Sequence, residues 1–137
     1  MIIVTNLHKS FGEDHILKGI STTFEKGKTS LVIGQSGSGK TVFLKCLLGL
    51  VTPEEGTIDF DGKIYSELTS DEQRNLRQEI GMVFQGSALF DSMTVEGNVM
   101  FPLNMFTQQS ESEKEDRVNF VLNRVNLIDA NHKYPAE

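Results

Sequence analysis

One glycine-rich octapeptide, residues 34–41, constrains this chain of 137 residues more than any other feature. It follows an apolar run at residues 31–33 and precedes a helical pattern at residues 42–50. Its residues are Gly34, Gln35, Ser36, Gly37, Ser38, Gly39, Lys40 and Thr41. The spacing matches the pattern G-x-x-x-x-G-K-[ST], which binds phosphate groups where it joins a strand to a helix. This octapeptide, called the phosphate loop below, therefore predicts a strand, a loop and a helix in that order.

The residue types of the phosphate loop suit a chain of phosphates. Glycines let backbone N–H groups approach an anion closely, because no Cβ stands in the way. The helix that follows adds unpaired N–H groups and the positive end of its dipole. Lys40 brings a mobile positive charge to the outer phosphates, and the Thr41 hydroxyl can ligate the accompanying Mg2+. The alternative is a loop that only joins a strand to a helix, but the pattern arises by chance in roughly half a percent of chains this long.

The composition excludes several classes of protein. The formal net charge is −6, so nucleic acid and anionic membrane surfaces are poor partners. Cys46, the single cysteine, lies among leucines and predicts a small buried side chain, not a disulfide. The N-terminus lacks the regions of a signal peptide, and no apolar run approaches the length of a membrane span. We therefore expect no nucleic acid, no direct membrane insertion, and no metal site at His8, His15 or His132.

Alternating or β-branched side chains predict strands on either side of the phosphate loop. These strands lie at residues 1–7, 16–24 and 56–62. Polar turns are expected at residues 8–15 and 25–28. Two segments that contain apolar runs, residues 29–33 and 80–84, predict strands that are buried on both faces, as in a parallel sheet. This arrangement is typical of a mixed α/β fold.

Capping residues predict the helices of the first half of the chain. The helix after the phosphate loop is expected to end at Gly49 and Leu50, because Pro53 follows closely. Thr69 and Glu72 form a capping box, which predicts a short polar helix ending at about residue 79.

Similar signals predict two helices in the second half. Thr94 is expected to cap a short helix that runs toward Phe101 and stops before Pro102. Ser110 and Glu113 form a second capping box, within a polar run that predicts a solvated surface. The apolar face of the last helix is expected to comprise Val118, Val121, Leu122 and Val125.

Four stretches together resemble the ATP-binding subunit of ABC transporters. They are residues 7–12, the phosphate loop, residues 53–58 and residues 80–85. Their order and spacing match that family over residues 1–137, and the set is more specific than the phosphate loop alone. The resemblance implies an α/β fold, a P-loop NTPase core with an N-terminal antiparallel β portion and following helices. It also implies the N-terminal part of one ATP-binding domain, with the β portion and P-loop core at about 1–85 and the Gln-loop and helical portion at about 85–137.

The resemblance assigns roles to single residues. Phe11 matches the aromatic residue that stacks on the adenine of ATP, although an aromatic side chain in a turn is alternatively a packing residue. Gln85 matches the glutamine that reaches Mg2+ and the attacking water, although a polar residue after a buried strand is unremarkable by itself. Lys40 and Gln85 are the expected catalytic residues, and Thr41 and Gln85 the expected Mg2+ ligands. Nucleotide contacts are expected from Phe11, Gly34, Gln35, Ser36, Gly37, Ser38, Gly39, Lys40, Thr41 and Val42.

The resemblance also implies partners. Residues 86–101 match the segment that docks on a transmembrane permease, the alternative being an ordinary apolar-lined loop. A second ATPase subunit is expected in the full-length protein. The permease would hold the protein, itself cytoplasmic, on the inner face of the bacterial inner membrane. Residues 84–95 look similar to the Mla-type phospholipid-transport ATPases, which implies phospholipid as the cargo.

One departure from the family concerns catalysis. In the family, the segment resembling residues 134–137 directly precedes the signature motif, and the Walker B strand, catalytic glutamate and switch histidine follow. None of these motifs is present, so we expect an ATP hydrolase in the full-length protein and an inactive, truncated form in this chain alone. Two alternatives stay open: another P-loop enzyme such as a small-molecule kinase, or a nucleotide-binding interaction module without catalysis.

Overall fold

A computed structural model describes residues 1–84, 86 and 88–137. Contacts within the chain divide it into two compact units, Met1–Met82 and Val83–Glu137. The first unit contains the phosphate loop and the predicted β portion. The second contains the residues that are expected to face a permease.

The first unit is built on a four-stranded antiparallel sheet with the strand order β2-β1-β3-β4. Its strands are β1 (Ile2–Phe11), β2 (Asp14–Phe24), β3 (Glu55–Phe60) and β4 (Lys63–Ile64). Strand β1 is central, since Ile2 pairs with Phe24 on one side and with Phe60 on the other. The predicted N-terminal antiparallel portion is therefore confirmed.

Two tight turns join the strands of this sheet. Gly12 and Glu13 join β1 to β2, and Gly12 has a φ of +61°. Asp61 and Gly62 join β3 to β4 with φ angles of +52° and +89°, as a type I′ hairpin turn requires. The broad polar turn expected at residues 8–15 is wrong, because β1 stays paired with β2 as far as Phe11. Polar side chains are compatible with an antiparallel strand whose other face meets water.

Helix α1 (Lys40–Leu47) packs against the sheet through Phe43 and Cys46, which are both buried. The ring of Phe43 lies 6.2 Å from the ring of Phe24, measured between centroids. Burial raises the pKa of the Cys46 thiol, in agreement with the predicted role as a small core residue. The buried core of the unit comprises Val4, Leu7, Leu17, Phe43, Cys46, Ile58 and Phe60.

The end of α1 lies in contact with Tyr65 of the short 3-10 helix that follows β4. Gly49 has a φ of +65°, and the N–H of Leu50 donates to the carbonyl of Lys45 at 2.9 Å. This Schellman arrangement confirms the predicted helix end. A short 3-10 helix follows β4, and its Tyr65 lies so close that a Cβ on Gly49 would overlap the phenol. Arg77 donates to the Tyr65 hydroxyl at 2.6 Å, so Tyr65 links two helices.

Helix α2 (Ser70–Glu79) begins and ends as predicted. The Thr69 hydroxyl accepts the Glu72 N–H at 3.4 Å, and the Glu72 carboxylate accepts the Thr69 N–H at 2.8 Å. The Thr69 hydroxyl also donates to that carboxylate at 2.7 Å. The hydrogen bonds from the Thr69 side chain and backbone hold the pKa of Glu72 below its ordinary value.

Two predicted strands do not form. Residues 29–33 and 80–84 have no regular secondary structure, and Leu31, Ile33 and Val83 are 85%, 81% and 97% exposed. A strand is stabilised by ladder hydrogen bonds to its neighbours. Neither segment belongs to a sheet in the part of the chain that the structure describes. The prediction of two buried strands is therefore wrong for this structure.

Among its described residues, the second unit contains two helices. These are α3 (Val95–Phe106) and α4 (Glu111–Arg124). Thr94 caps α3 as predicted, since its hydroxyl accepts the Gly97 N–H at 3.1 Å. The predicted end before Pro102 is wrong, because α3 continues for another turn. Proline removes only its own N–H from the helical ladder, and the Thr107 N–H and hydroxyl still donate to the Leu103 carbonyl at 3.0 and 2.8 Å.

The second predicted capping box is also confirmed. The Glu113 carboxylate accepts the N–H and the hydroxyl of Ser110 at 2.8 and 2.7 Å. These bonds hold the pKa of Glu113 below its ordinary value, the side-chain bond being the larger cause. The polar run is not wholly solvated, because Lys114 is buried with its ammonium 2.8 Å from the Glu111 carboxylate.

The apolar face of α4 is confirmed in part. Val118 and Leu122 are buried and Val121 is half-buried. Val125 is exposed, contrary to the prediction, because the helix ends at the preceding residue and the backbone no longer follows the helical period.

Candidate functional site

The phosphate loop connects to the start of α1, and its residues are exposed except for Gly39 and Lys40, which are half-buried. Gly39 occupies the N-cap position with a φ of +92° and has no side chain with which to satisfy the helix N–H groups. The helical ladder begins with the bond from the Phe43 N–H to the Gly39 carbonyl at 2.8 Å. The helix start therefore offers backbone donors to an anion.

Glycine is needed at particular positions of the phosphate loop. A Cβ on Gly34 would lie 2.6 Å from the Ser38 Oγ, and one on Gly39 would lie 2.9 Å from Cγ2 of Ile16 in β2. At Gly37 a Cβ would meet nothing within 4 Å, but the φ of +78° is left-handed. The loop thus combines close packing at its two ends with an open turn between them.

Lys40 folds back over the phosphate loop. Its ammonium donates to the carbonyl oxygens of Gly34 at 2.8 Å and of Gln35 at 2.7 Å. Thr41 is exposed on the first turn of α1, whereas Val42 is half-buried against the core. The structure therefore brings the Lys40 cation and the Thr41 side chain to one helix end.

Phe11 stands at the end of β1 and is 51% exposed. The Lys9 ammonium lies over its ring, 5.1 Å from the centroid. Lys9 also donates to the Glu54 Oε1 at 2.6 Å, and the Ser10 N–H donates to the Glu54 Oε2 at the same distance. The bond from Lys9 is the largest cause that holds the pKa of Glu54 below its ordinary value.

Sequence reasoning missed Lys9 and Glu54 as members of this site. Both residues lie in stretches that carry the family resemblance, residues 7–12 and 53–58, so a signal was available. The pairing of the two stretches across β1 and β3 is tertiary, however, and no local pattern predicts it.

The expected Mg2+ ligands are only partly represented. Gln85, the expected catalytic glutamine and second ligand, lies outside the described residues. Within the described ranges no group of three or more His, Cys, Asp or Glu side chains is placed to hold a metal ion. Mg2+ bound with a nucleotide takes most of its ligands from phosphate and water, and the exposed Thr41 hydroxyl is an oxygen donor of the type it adds. The residues present therefore fit a Mg2+ ion that arrives with a nucleotide.

The expected docking segment, residues 86–101, presents apolar side chains at the surface of the second unit. Leu89 and Phe90 are half-exposed, and the Phe90 ring lies 4.8 Å from the Phe101 ring between centroids. Asn98, which sequence reasoning missed, bonds to the backbone of Phe90. Leu89 also lines an apolar groove with a volume of about 610 Å³. The other aliphatic residues of this groove are Val95, Val99, Val121, Leu122, Val125, Leu127, Ile128, Ala130 and Pro135. A helix that could cross a membrane is absent from the residues described.

Comparison with known proteins defines the class of this chain. The ABC transporter family model matches residues 17–137. A probable ribonucleotide transport ATP-binding protein, mkl, of Mycobacterium bovis is 41% identical over 136 residues, which are 99% of this chain and 38% of the relative. The chloroplastic protein TRIGALACTOSYLDIACYLGLYCEROL 3 of Arabidopsis thaliana is 41% identical over 138 residues, 100% of this chain and 39% of the relative.

Solved structures agree with the sequence comparison. A dimeric ATP-binding cassette in a post-hydrolysis state, bound to ADP and Pi, superposes with a TM-score of 0.86 at 28% identity, over 99% of this chain and 62% of that one. The chain belongs to the ABC transporter family, and it corresponds to part of the ATP-binding subunit. The α/β P-loop fold is thereby confirmed. The chain spans about two-fifths of the length of the curated relatives it matches.

Proposed function

We propose that the phosphate loop binds the phosphates of Mg-ATP, and that the full-length protein hydrolyses ATP to drive transport. The observation that carries this proposal is the position of Lys40. Its ammonium is held by two loop carbonyls beside a helix start whose N-cap residue has no side chain. A cation and open backbone N–H groups at one exposed point form a site for a polyphosphate anion.

Each expected residue takes a part in this proposal. Residues 34–42 supply backbone and side-chain contacts to the phosphates, and Lys40 neutralises charge on the outer ones. Thr41 ligates Mg2+, which further neutralises the phosphates when it is bound. Phe11 stacks on adenine, and Gln85 orients the attacking water. In the reaction, a water oxygen forms a bond to the γ-phosphorus, and the bond from the γ-phosphorus to the β–γ bridging oxygen breaks. ADP leaves, and the water gives up a proton as its oxygen becomes part of inorganic phosphate.

We further propose that the ATP-binding subunit works in pairs and docks on a permease. The structure with ADP and Pi is dimeric, which supports a second ATPase subunit. The half-exposed apolar residues of the segment 86–101 support a permease contact there. This contact would hold the protein at the cytoplasmic face of the bacterial inner membrane.

The proposed cargo is phospholipid. The similarity of residues 84–95 to Mla-type ATPases supports it, and one relative carries the name of a galactolipid, which supports a lipid but not a phospholipid in particular. Other relatives are named for ribonucleotide transport or methionine import, so the cargo needs its own test. We expect the ATPase rate of the reconstituted transporter to rise with phospholipid. A rise with methionine or a ribonucleotide alone would replace the lipid proposal.

The site itself is tested by Lys40→Ala, with Lys45→Ala as the matched control. Lys45 lies in the last turn of the same helix, away from the loop carbonyls. Loss of a charge-assisted contact should weaken ATP binding by about 2 kcal/mol or more, roughly 30-fold in Kd. Calorimetric titration of the full-length protein with Mg-ATP would measure both variants. Equal affinities for the two variants and the wild type would contradict the proposal.

Two further measurements separate the alternative functions. A small-molecule kinase would release ADP only when an acceptor is added, whereas the proposed hydrolase releases ADP and phosphate with water alone. A non-catalytic module would bind ATP without releasing either product.

A further inference from the structure

We infer that Glu54 and Lys9 position the ring of Phe11 for a nucleotide base. Lys9 lies in β1, and Glu54 directly precedes β3. The Lys9 ammonium donates a hydrogen bond of 2.6 Å to the Glu54 carboxylate. The same ammonium lies over the Phe11 ring at 5.1 Å from its centroid. The inference rests on the proposed binding of ATP, and it names the residues that set the base-stacking part of that site.

The Glu54 carboxylate is fully engaged in this arrangement. One oxygen accepts from the Lys9 side chain and the other from the Ser10 N–H, which directly precedes Phe11 in the backbone. The Glu54 N–H in turn donates to the His8 carbonyl at 3.0 Å. Glu54 is thereby fixed to β1 on both sides of Lys9 and controls both the backbone and the cation next to the ring.

Lys9 is well suited to hold an aromatic ring. Its side chain is only 15% exposed, so its ammonium is partly shielded from water that would weaken a cation–π contact. The ammonium covers one face of the Phe11 ring, and the residue as a whole is still 51% exposed. The uncovered face is the one on which a base can stack, which gives a layered order of cation, ring and base.

This arrangement explains how an exposed phenylalanine can serve as a stacking surface. A half-exposed aromatic side chain at the end of a hairpin has few packing neighbours that select one rotamer. A side chain that samples several rotamers loses more conformational entropy on binding than one already held in a single rotamer. The cation limits that freedom before the base arrives. The resulting increase in affinity should apply only to ligands that carry a base, because neither Glu54 nor Lys9 is part of the phosphate loop.

The test compares ligands that share phosphates but differ in the base. Full-length wild type, Lys9→Met, Lys9→Arg and Glu54→Gln would be titrated with Mg2+ and ATP, GTP or inorganic tripolyphosphate. Lys9→Met keeps most of the stem and removes the charge, Lys9→Arg keeps a cation over the ring, and Glu54→Gln leaves one of two donors without a carboxylate oxygen. Glu55→Gln is the matched control, since in the described ranges the Glu55 side chain makes no hydrogen bond or ion pair.

We expect Lys9→Met and Glu54→Gln to weaken ATP and GTP about two- to fivefold, the lower end of the range for a cation–π contact. Tripolyphosphate binding should stay at the wild-type value, and Lys9→Arg should restore the nucleotide affinity. A structural role would weaken tripolyphosphate and the nucleotides alike, and this result would overturn the inference. Unchanged nucleotide affinity in Lys9→Met would overturn it as well. Failure of the wild type to bind either ATP or tripolyphosphate would instead refute the proposed function on which the inference rests.

Discussion

The side-chain amide of Asn98 engages both backbone groups of Phe90. Its Oδ1 accepts the Phe90 N–H at 2.8 Å, and its Nδ2 donates to the Phe90 carbonyl at 3.0 Å. The same Nδ2 lies 3.2 and 3.0 Å from the carbonyls of Met93 and Thr94. One side chain of α3 therefore fixes the path of the loop that presents Phe90. A loop fixed in this way holds its apolar residues in one arrangement for a partner.

The first prediction concerns the proposed permease contact. Phe90→Asp should abolish assembly with the permease, because a buried aromatic anchor in an interface typically contributes about 2 kcal/mol or more. Phe120→Asp is the matched control, since Phe120 is 55% exposed on α4 and Phe90 is 46% exposed. Co-purification of each full-length variant with the permease would measure assembly, and calorimetry would show that ATP affinity is retained. If Phe90→Asp assembles normally, or if it loses ATP binding and folding together, Phe90 belongs to the core of the protein and not to the interface.

The second prediction concerns the base. Phe11→Ala should weaken ATP by about 1–3 kcal/mol, the usual cost of losing a stacked base. Binding of inorganic tripolyphosphate should not change, because the phosphate loop is a separate segment of the site. Parallel calorimetric titrations with the two ligands provide the measurement, and Phe120→Ala controls for the loss of an exposed ring. An equal loss for both ligands would show that Phe11 supports the fold instead of the base.

Local signals in the sequence predicted the capped starts of α2, α3 and α4 and the glycine-terminated end of α1. These signals are local. The capping boxes at Thr69 and Ser110 and the glycine at the end of α1 act on residues within about one turn, so they do not depend on the rest of the fold. The phosphate loop is predictable for the same reason. The Lys40 ammonium donates to the carbonyl of Gly34, and the space around Gly34 is limited by Ser38, so the contacts that shape the loop lie within a few residues of one another.

Features that depend on distant residues were not predicted. Residues 29–33 are apolar enough for a central strand, but a strand also needs neighbours, and local composition carries no information about them. The contact of Glu54 with Lys9 joins the residue directly before β3 to a residue of β1, and its existence follows only from the register of β1 and β3. The continuation of α3 through Pro102 shows the same limit. The proline favours a helix end at the preceding residue, but the helix continues to Phe106.

The third prediction concerns pH. The folded-state pKa values of Glu72 and Glu113 lie below their ordinary value of 4.5 because of hydrogen bonds from Thr69 and Ser110. Their stabilising effect is therefore complete above about pH 4.5 and is lost as the pH falls through the lower folded values. Urea unfolding between neutral and acid pH should show a decreasing free energy of unfolding below about pH 4.5.

The double variant Thr69→Ala and Ser110→Ala tests whether the two capping boxes cause this loss of stability at acid pH. It removes the side-chain hydrogen bonds that are the larger cause of both shifts. Its free energy of unfolding at neutral pH should be lower by about 0.5–2 kcal/mol per cap. The acid-dependent part of its stability should be smaller than in the wild type. An unchanged pH profile would mean that other carboxyl groups dominate the acid response.

The last prediction concerns the packing of Tyr65 against the end of α1. Gly49 and Gly62 both have left-handed backbones, with φ angles of +65° and +89°, but they differ in the space around them. A Cβ on Gly62 would meet nothing within 4 Å, whereas one on Gly49 would overlap the Tyr65 phenol. Gly62→Ala should therefore cost only the strain of a left-handed alanine, about 1–2 kcal/mol. Gly49→Ala should cost the same strain and a further 1–3 kcal/mol or so for overpacking.

Displacing Tyr65 would also disturb its other contacts. Its hydroxyl accepts the hydrogen bond from Arg77, and its ring lies 6.2 Å from the Phe60 ring between centroids. The double variant Gly49→Ala with Tyr65→Ala removes the obstacle, so the penalty of Gly49→Ala should shrink toward that of Gly62→Ala in this background. Urea midpoints of the single variants, the double variant and Tyr65→Ala complete the cycle. Equal destabilisation by Gly49→Ala in both backgrounds would show that backbone strain alone, and not contact with Tyr65, requires glycine at this position.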